Sequence, residues 1–231
     1  MLSQNTTSLS CPFPPSSIMK STSKFYPNEP TVKRAAVFVD GQNLLYSLRE
    51  AFGVNYPNYD AKKLAERFCQ EQGMVLSSVR FYTGIENEHI NPFWYHFWRN
   101  KIVKMEEDGI ITYTRPLQYR RVKDRNDPSK EFLAPMEKGV DIRIALDIVE
   151  ELRTERSDVI TVFSQDGDFC EIAQEVRQVA RKQNRWIKFM CAFPRGTNKY
   201  SRGINGSDWY PFDEDFYSHC TDPRDYRSNK Q

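Results

Sequence analysis

From residue 35 onward, short apolar runs alternate with longer amphipathic stretches. The run AAVFV, residues 35–39, is continuously apolar and too short for a helix, which predicts a buried strand. Leu44, Leu45 and Leu48 then share one side of a short helix. Asp60 opens DAKKLAERFCQEQG, in which Leu64 and Phe68 form a core face and Gly73 a stop. VLSSVRFYTG predicts a second strand, Pro92 opens an aromatic helix ending at Gly109, and GIITYT predicts a third strand. GVDIRIALDIVEELR has helical period, DVITVFS reads as a strand, DFCEIAQEVRQVARKQ as a helix and WIKFMCAF as the last strand. Such alternation predicts an α/β fold: one mainly parallel, Rossmann-like sheet flanked by helices on both faces, in a single domain over 34–195.

The margins read differently. Residues 1–33 are rich in Ser, Thr, Asn and Pro and lack the basic start and apolar middle of a secretory signal, so a disordered tail is expected, with Met19 as an alternative start. Residues 115–138 are a basic, polar insertion. Gly196, Gly203 and Gly206 break up a C-terminal extension, 196–231, which is expected to pack loosely on the domain or trail from it.

Composition changes this picture little. The chain has 231 residues, 39% of them apolar and 28% charged, enough to bury a real core. No run approaches the ~18 apolar residues of a membrane span, so no membrane association is expected. Cys11, Cys69, Cys170, Cys191 and Cys220 lie far apart with no C-x-x-C pair, which suits a reducing, cytoplasmic setting. The net charge is only +2, but it is unevenly distributed. Between Arg177 and Arg202 there are eight bases and no acid, whereas Glu131 to Glu175 holds twelve acids and four bases. A cation site beside a polyanion surface would have this asymmetry; so would ordinary solvated helices.

Ligands of open parallel sheets collect beyond the carboxyl ends of strands, where strand order reverses. The strand ending at Val39 runs into Asp40, and DVITVFS runs into Ser164-Gln165-Asp166-Gly167-Asp168. Asp141 shares a helical stripe with Ile144, Ala145, Ile148 and Leu152, and no Lys or Arg lies on that stripe. Asp147 falls off the stripe and is expected to be solvated. Burying an unpartnered carboxylate costs several kcal/mol, so convergent acids without bases suit a hard divalent cation, Mg²⁺ or Mn²⁺. Three of the acids also have a plain alternative as a helix cap: Asp40 for the helix after it, Asp168 with Glu171 for a partial capping box, and Asp166 for that same helix from one turn earlier. Asn43 is expected to hold the turn. Rival chemistries lack their signatures. Gln42 stands where a haloacid-dehalogenase-type phosphatase has its second acid, DGQNLL is no dinucleotide fingerprint, and His89, His96 and His219 flank no strand-end nucleophile.

VFVDGQN, EKGVDIRIALDIV and VFSQDGDFCEIAQEVR, in this order, resemble the NYN domain in its LabA-like (DUF88) branch, a PIN-like fold of the FEN and PIN nuclease superfamily. The resemblance covers roughly residues 35–195. It implies a Mg²⁺- or Mn²⁺-dependent endoribonuclease whose catalytic, metal-binding acids fall on Asp40, Asp141, Asp166 and Asp168, with Asn43 and Ser164 as supporting polar positions. Gln165, where the family often has Gly, and the loosely matching sequence after Arg195 are departures. Some LabA-like proteins act as regulators, so the rival reading is a binding module with little turnover.

A carboxylate cup repels RNA, so a basic rim is expected. Arg115, Arg120, Arg121, Lys123 and Arg125, interleaved with Tyr113 and Tyr119, form one candidate; Arg181, Lys182, Arg185, Arg195 and Lys199 form another. Aromatics among bases suit single-stranded RNA. In PFWYHFW, Trp94 and Trp98 join Ile102 and Met105 as core, while Phe93 and Phe97 offer a homodimer surface, an RNA contact or a second core face.

Overall fold

The computed structural model describes residues 27–124, 127, 129–197 and 201–227. The expected tail, 1–33, lies largely outside them, as do Arg125 and Lys199. Strand β1 (Lys33–Asp40) is followed by α1 (Gly41–Phe52), α2 (Ala61–Glu71), β2 (Met74–Ile85), α3 (Pro92–Glu107) and β3 (Ile111–Pro116). An antiparallel hairpin, β4 (Gln118–Lys123) and β5 (Glu131–Met136), leads into α4 (Val140–Arg153). Then come β6 (Val159–Phe163), a single 3₁₀ turn at Gly167–Phe169, α5 (Cys170–Gln183), β7 (Lys188–Pro194), β8 (Asp208–Phe212) and α6 (Glu214–Ser218).

Six strands form one sheet in the order β3-β2-β1-β6-β7-β8, each pair parallel. The chain builds outward from β1 in one direction and then, after α4, in the other. Strand order therefore reverses between β1 and β6. Along β1 the side chains alternate between two cores. Ala35, Val37 and Val39 pack with α1, α2 and α3; Ala36 and Phe38 pack with α4 and α5. Both faces are thus covered, as a sheet of this type requires. This is the expected α/β architecture with a parallel sheet covered on both faces, and among the described residues no helix is long and apolar enough to cross a membrane.

Two segments depart from expectation. The insertion folds into the β4–β5 hairpin, QYRRVK paired with EFLAPM, most of whose side chains, Phe132 and Leu133 included, stay exposed. The C-terminal extension is integral rather than loose. It supplies β8, and Phe212, Phe216, Tyr217, Cys220 and Tyr226 enter the core. Apolar positions there are separated by acids in sequence but converge once α6 turns. This segment also covers α3: Lys101, fully buried, bonds the Tyr59 carbonyl at 2.8 Å and lies 3.3 Å from Asp222. Phe97 packs edge-on against Tyr226, so the second side of α3 is core at Phe97 and solvent at Phe93.

Candidate active site at the strand switch point

Asp40 continues the Ala36–Phe38 side of β1 by period two, which directs its carboxylate toward α4. Ser164 follows Ile160 and Val162 in the same way from β6. The two meet: Ser164 donates from Oγ to Asp40 Oδ2 at 3.1 Å, and the Asn43 amide donates to Asp40 Oδ1 at 3.1 Å. Asp40 is therefore both the N-cap of α1 and a buried acid facing the switch point. Gly41 is required for room rather than for a turn: a Cβ there would lie 2.5 Å from the Phe81 ring and 2.9 Å from the Tyr82 carbonyl.

Asn43 and Ser164 tie the loop after β6 to this corner. The Gln165 amide donates to Asn43 Oδ1 at 2.8 Å, and the Asp166 amide donates to Ser164 Oγ at 3.1 Å. Gln165 in turn donates from Nε2 to Ser201 Oγ and the Arg202 carbonyl. Asp166 caps the 3₁₀ turn by accepting from the Asp168 amide at 3.0 Å. Asp168 itself is exposed, and α5 starts with no side-chain cap, so the expected capping box with Glu171 does not form.

From the other side, Gly139 takes a left-handed conformation at φ 73°, which ends the hairpin and starts α4 with its first turn at the pocket. That turn presents Asp141, half-buried, and Glu137 precedes it. Glu137 accepts from the Gly84 amide of β2. Asp40, Glu137, Asp141 and Asp166 line one open cavity of about 840 Å³, together with Asn43, Tyr46, Arg115 and Met136.

The electrostatics of this cavity are one-sided. Burial pushes the Asp40 carboxyl up to about 6, against the Asn43 and Ser164 hydrogen bonds, and the charges of Asp166 and Asp141 push the same way. Burial likewise raises Glu137 to about 7, with Asp40 and Asp141 adding to it against the Gly84 bond. The neighbouring charges that act most on the two carboxyls are those of other carboxylates. The donor set is all hard oxygen, which fits Mg²⁺ or Mn²⁺ in chemistry. Among the described residues, however, no three His, Cys, Asp or Glu side chains are grouped as a ready metal site.

Glu137 was not singled out from the sequence, although it stands directly before Lys138-Gly139; a glutamate at a hairpin end carries no periodic signal. Asp147 corrects an expectation. It is buried and accepts from the Tyr82 hydroxyl at 2.9 Å and from Arg143, with Arg80 Nη1 at 4.0 Å. Arg80 also pairs with the buried Glu151 at 3.1 Å. The Arg143–Asp147 pair is an i, i+4 contact within α4, whereas the cation of Glu151 comes from β2, where no reading of the helix alone could have found it.

The basic candidates separate. Arg115 lines the cavity and donates to the Lys138 carbonyl, and Arg120, Arg121 and Lys123 are exposed on β4. Arg181 and Lys182 lie in the last turn of α5, which starts beside Asp166 and runs 14 residues, about 21 Å, toward the other end of the sheet. Arg185 is structural there, donating to the Ser157 carbonyl and lying 3.6 Å from Asp158.

No curated protein matches the chain. Among solved structures it is similar to VPA0982, a protein of unknown function from Vibrio parahaemolyticus RIMD 2210633, at 20% identity and a TM-score of 0.51 over 82% of this chain and 98% of that one. At that identity the likeness supports the fold alone. MurG of Acinetobacter baumannii follows at 13% identity and a TM-score of 0.31, over 78% of this chain and 45% of that one, too weak to argue from. The model of the NYN domain matches residues 34–193, a span that holds β1 through β7 and every acid of the cavity. The chain therefore belongs to the NYN domain family, within the PIN-like nuclease superfamily.

Proposed function

We propose that the protein is a divalent-metal-dependent endoribonuclease acting on single-stranded RNA. The observation that carries this reading is the cavity of Asp40, Glu137, Asp141 and Asp166, where the acids raise one another's pKa at Asp40 and Glu137 and, among the described residues, none of the four forms an ion pair. Those four side chains would hold Mg²⁺ or Mn²⁺; Asp168, exposed and off the cavity, is left out of the set. A bound cation would lower the pKa of a coordinated water and neutralise charge on the phosphodiester. Asn43 and Ser164 keep the loop bearing Asp166 registered to Asp40, and the Gly84 amide orients Glu137. Arg115, with Arg120, Arg121 and Lys123 on the hairpin, offsets the acids toward a polyanion.

Labelled single-stranded RNA is incubated with wild type and Asp40→Asn in Mn²⁺, Mg²⁺ or EDTA. Changing even an outer-shell partner of a metal ligand costs 10–100-fold, so removing one carboxylate is expected to cost at least about 100-fold. Asn also caps helices, so circular dichroism of the variant should be unchanged. Equal cleavage by both proteins rejects the site. The rival reading is binding without turnover, favoured by the absence of a grouped metal site among the described residues. Salt-sensitive RNA binding with no cleavage by either protein selects it.

A further inference from the structure

We propose that Tyr46 is a nucleobase-stacking platform at the rim of the acid cavity, binding the unpaired base of a nucleotide next to the reacting phosphate. This rests on the nucleic-acid reading above and adds a base-binding subsite to it.

An exposed tyrosine on a helix is ordinary by itself. Three placements make this one specific. First, the ring is 55% exposed yet lines the same cavity as Asp40, Asp141 and Asp166. It reaches the cavity because Asp40 caps α1 and Asn43 is fixed to the loop after β6, so the first two turns of α1 form one wall. Second, the ring is held from both directions along the helix. Gln42 Nε2 donates to the Tyr46 hydroxyl at 3.4 Å, and the Arg49 guanidinium lies 5.9 Å from the ring centroid. Gln42, Tyr46 and Arg49 are spaced i, i+4, i+7, one face of the helix. Third, apolar groups line the same cavity from the hairpin and α4: Pro135 and Met136 end the hairpin, and Ile142 stands 63% exposed on the first turn of α4, among the polar Arg115, Gln118 and Lys138.

The chemistry selects the occupant. Beside Tyr46 the lining is carboxylate, Asp40, Asp141 and Asp166, which a phosphate avoids unless a cation intervenes, while the lining cations, Arg115 and Lys138, belong to β3 and the end of the hairpin. A base is flat and neutral, and it stacks on an aromatic face whatever its identity. Exposed Arg49 is placed to meet a phosphate just outside the cavity. A base held in a duplex presents no free face, so the subsite takes single strands.

The test uses the full chain in the Asp40→Asn background, so that RNA is bound without being consumed. Anisotropy titrations compare Tyr46 with Tyr46→Ala and Tyr46→Phe on a labelled single strand of about a dozen nucleotides, on its duplex, and on strands with one abasic position moved along the sequence. Base stacking on an aromatic is worth ~1–3 kcal/mol, so Tyr46→Ala should weaken single-strand binding roughly 5- to 150-fold, with Tyr46→Phe close to Tyr46. One abasic position should reproduce that loss in the Tyr46 protein, and Tyr46→Ala should lose little more on that strand. Equal affinity of Tyr46 and Tyr46→Ala for the single strand overturns the inference while leaving the nuclease reading intact. An equal Tyr46→Ala loss on every abasic strand also overturns it, since the ring would then not be reading a base. Absence of RNA binding by any of the proteins overturns both readings at once.

Discussion

Asp40 and Asp158 sit at opposite ends of the same pair of strands, and their surroundings are reversed. Asp158, just before β6, accepts from the Arg34 amide at 3.0 Å and from its guanidinium, with Arg185 at 3.6 Å. Although burial opposes it, those bonds and charges hold its carboxyl below the usual value. Asp40, the last residue of β1, is also buried, and its hydrogen-bond donors are uncharged while the charges acting on it most are acids. The chain pairs Asp158 at the amino end of the strands, yet among the described residues the cavity acids at the carboxyl end form no ion pair. A fold selected for stability alone would not make that choice, because the unpaired carboxylates cost free energy. The cost is understandable if the site is completed by something positive.

The largest effect should come from breaking a paired acid. Asp222 lies 3.3 Å from Lys101, accepts from the Tyr226 hydroxyl at 2.7 Å and binds Arg224 Nε at 2.8 Å. Burial lowers the pKa of Lys101, while Asp222 opposes that. Asp222→Ala would leave the ammonium buried with the Tyr59 carbonyl and the Tyr59 and Tyr226 rings but without its ion-pair partner, a change that typically costs ~3–5 kcal/mol. Urea denaturation should show a lowered midpoint of that size. Loss of less than about 1 kcal/mol would mean that the C-terminal segment is not anchored through this pair.

The unpaired end should behave in the opposite sense. The Asp40 carboxyl is raised from 3.8 to about 6 in the folded chain, so folding takes up a proton between those values. A raised acid adds stability below its unfolded pKa and loses it as pH rises through the folded one. A shift of this size is worth about 3 kcal/mol. With chelator present, Asp40→Asn should match wild type near pH 4 and exceed it in stability by up to that amount above pH 7. Parallel stability–pH curves would show that Asp40 is not held at a penalty.

Much of this was legible in the sequence. AAVFVD announced β1 and its terminal acid, the strand–helix rhythm announced the parallel sheet, and the apolar stripe of α4 was correctly phased through Ile144, Ile148 and Leu152. Asp40 proved to be a helix cap as well as a cavity acid; nothing in the residue type separates the two roles, since capping uses one oxygen and leaves the carboxylate facing the switch point. What stayed hidden depended on partners from distant elements. Glu151 is buried with Arg80 from β2, and Asp147 accepts from the Tyr82 hydroxyl of the same strand. Glu137 matters because Gly84 donates to it. The C-terminal extension is core because Lys101 awaited Asp222. None of these pairings has a period or a motif.

The smallest effect concerns the two basic candidates, which are alike in composition but not in position. Arg120 is exposed on the hairpin strand that begins at Gln118, a residue lining the acid cavity. Lys182 is equally exposed, but at the far end of α5. If RNA enters the cavity, only the first can meet its phosphates. For single strands, log affinity falls with log salt by about 0.7 per phosphate neutralised. Arg120→Ala should therefore weaken RNA binding and flatten that slope by about 0.7, whereas Lys182→Ala should leave affinity within the ~0.5 kcal/mol of an ordinary surface change and the slope unaltered. Titrations at several salt concentrations measure both. A flattened slope for Lys182→Ala with none for Arg120→Ala would move the RNA path to the amino end of the sheet, where the acids are already paired, and would detach binding from the cavity altogether.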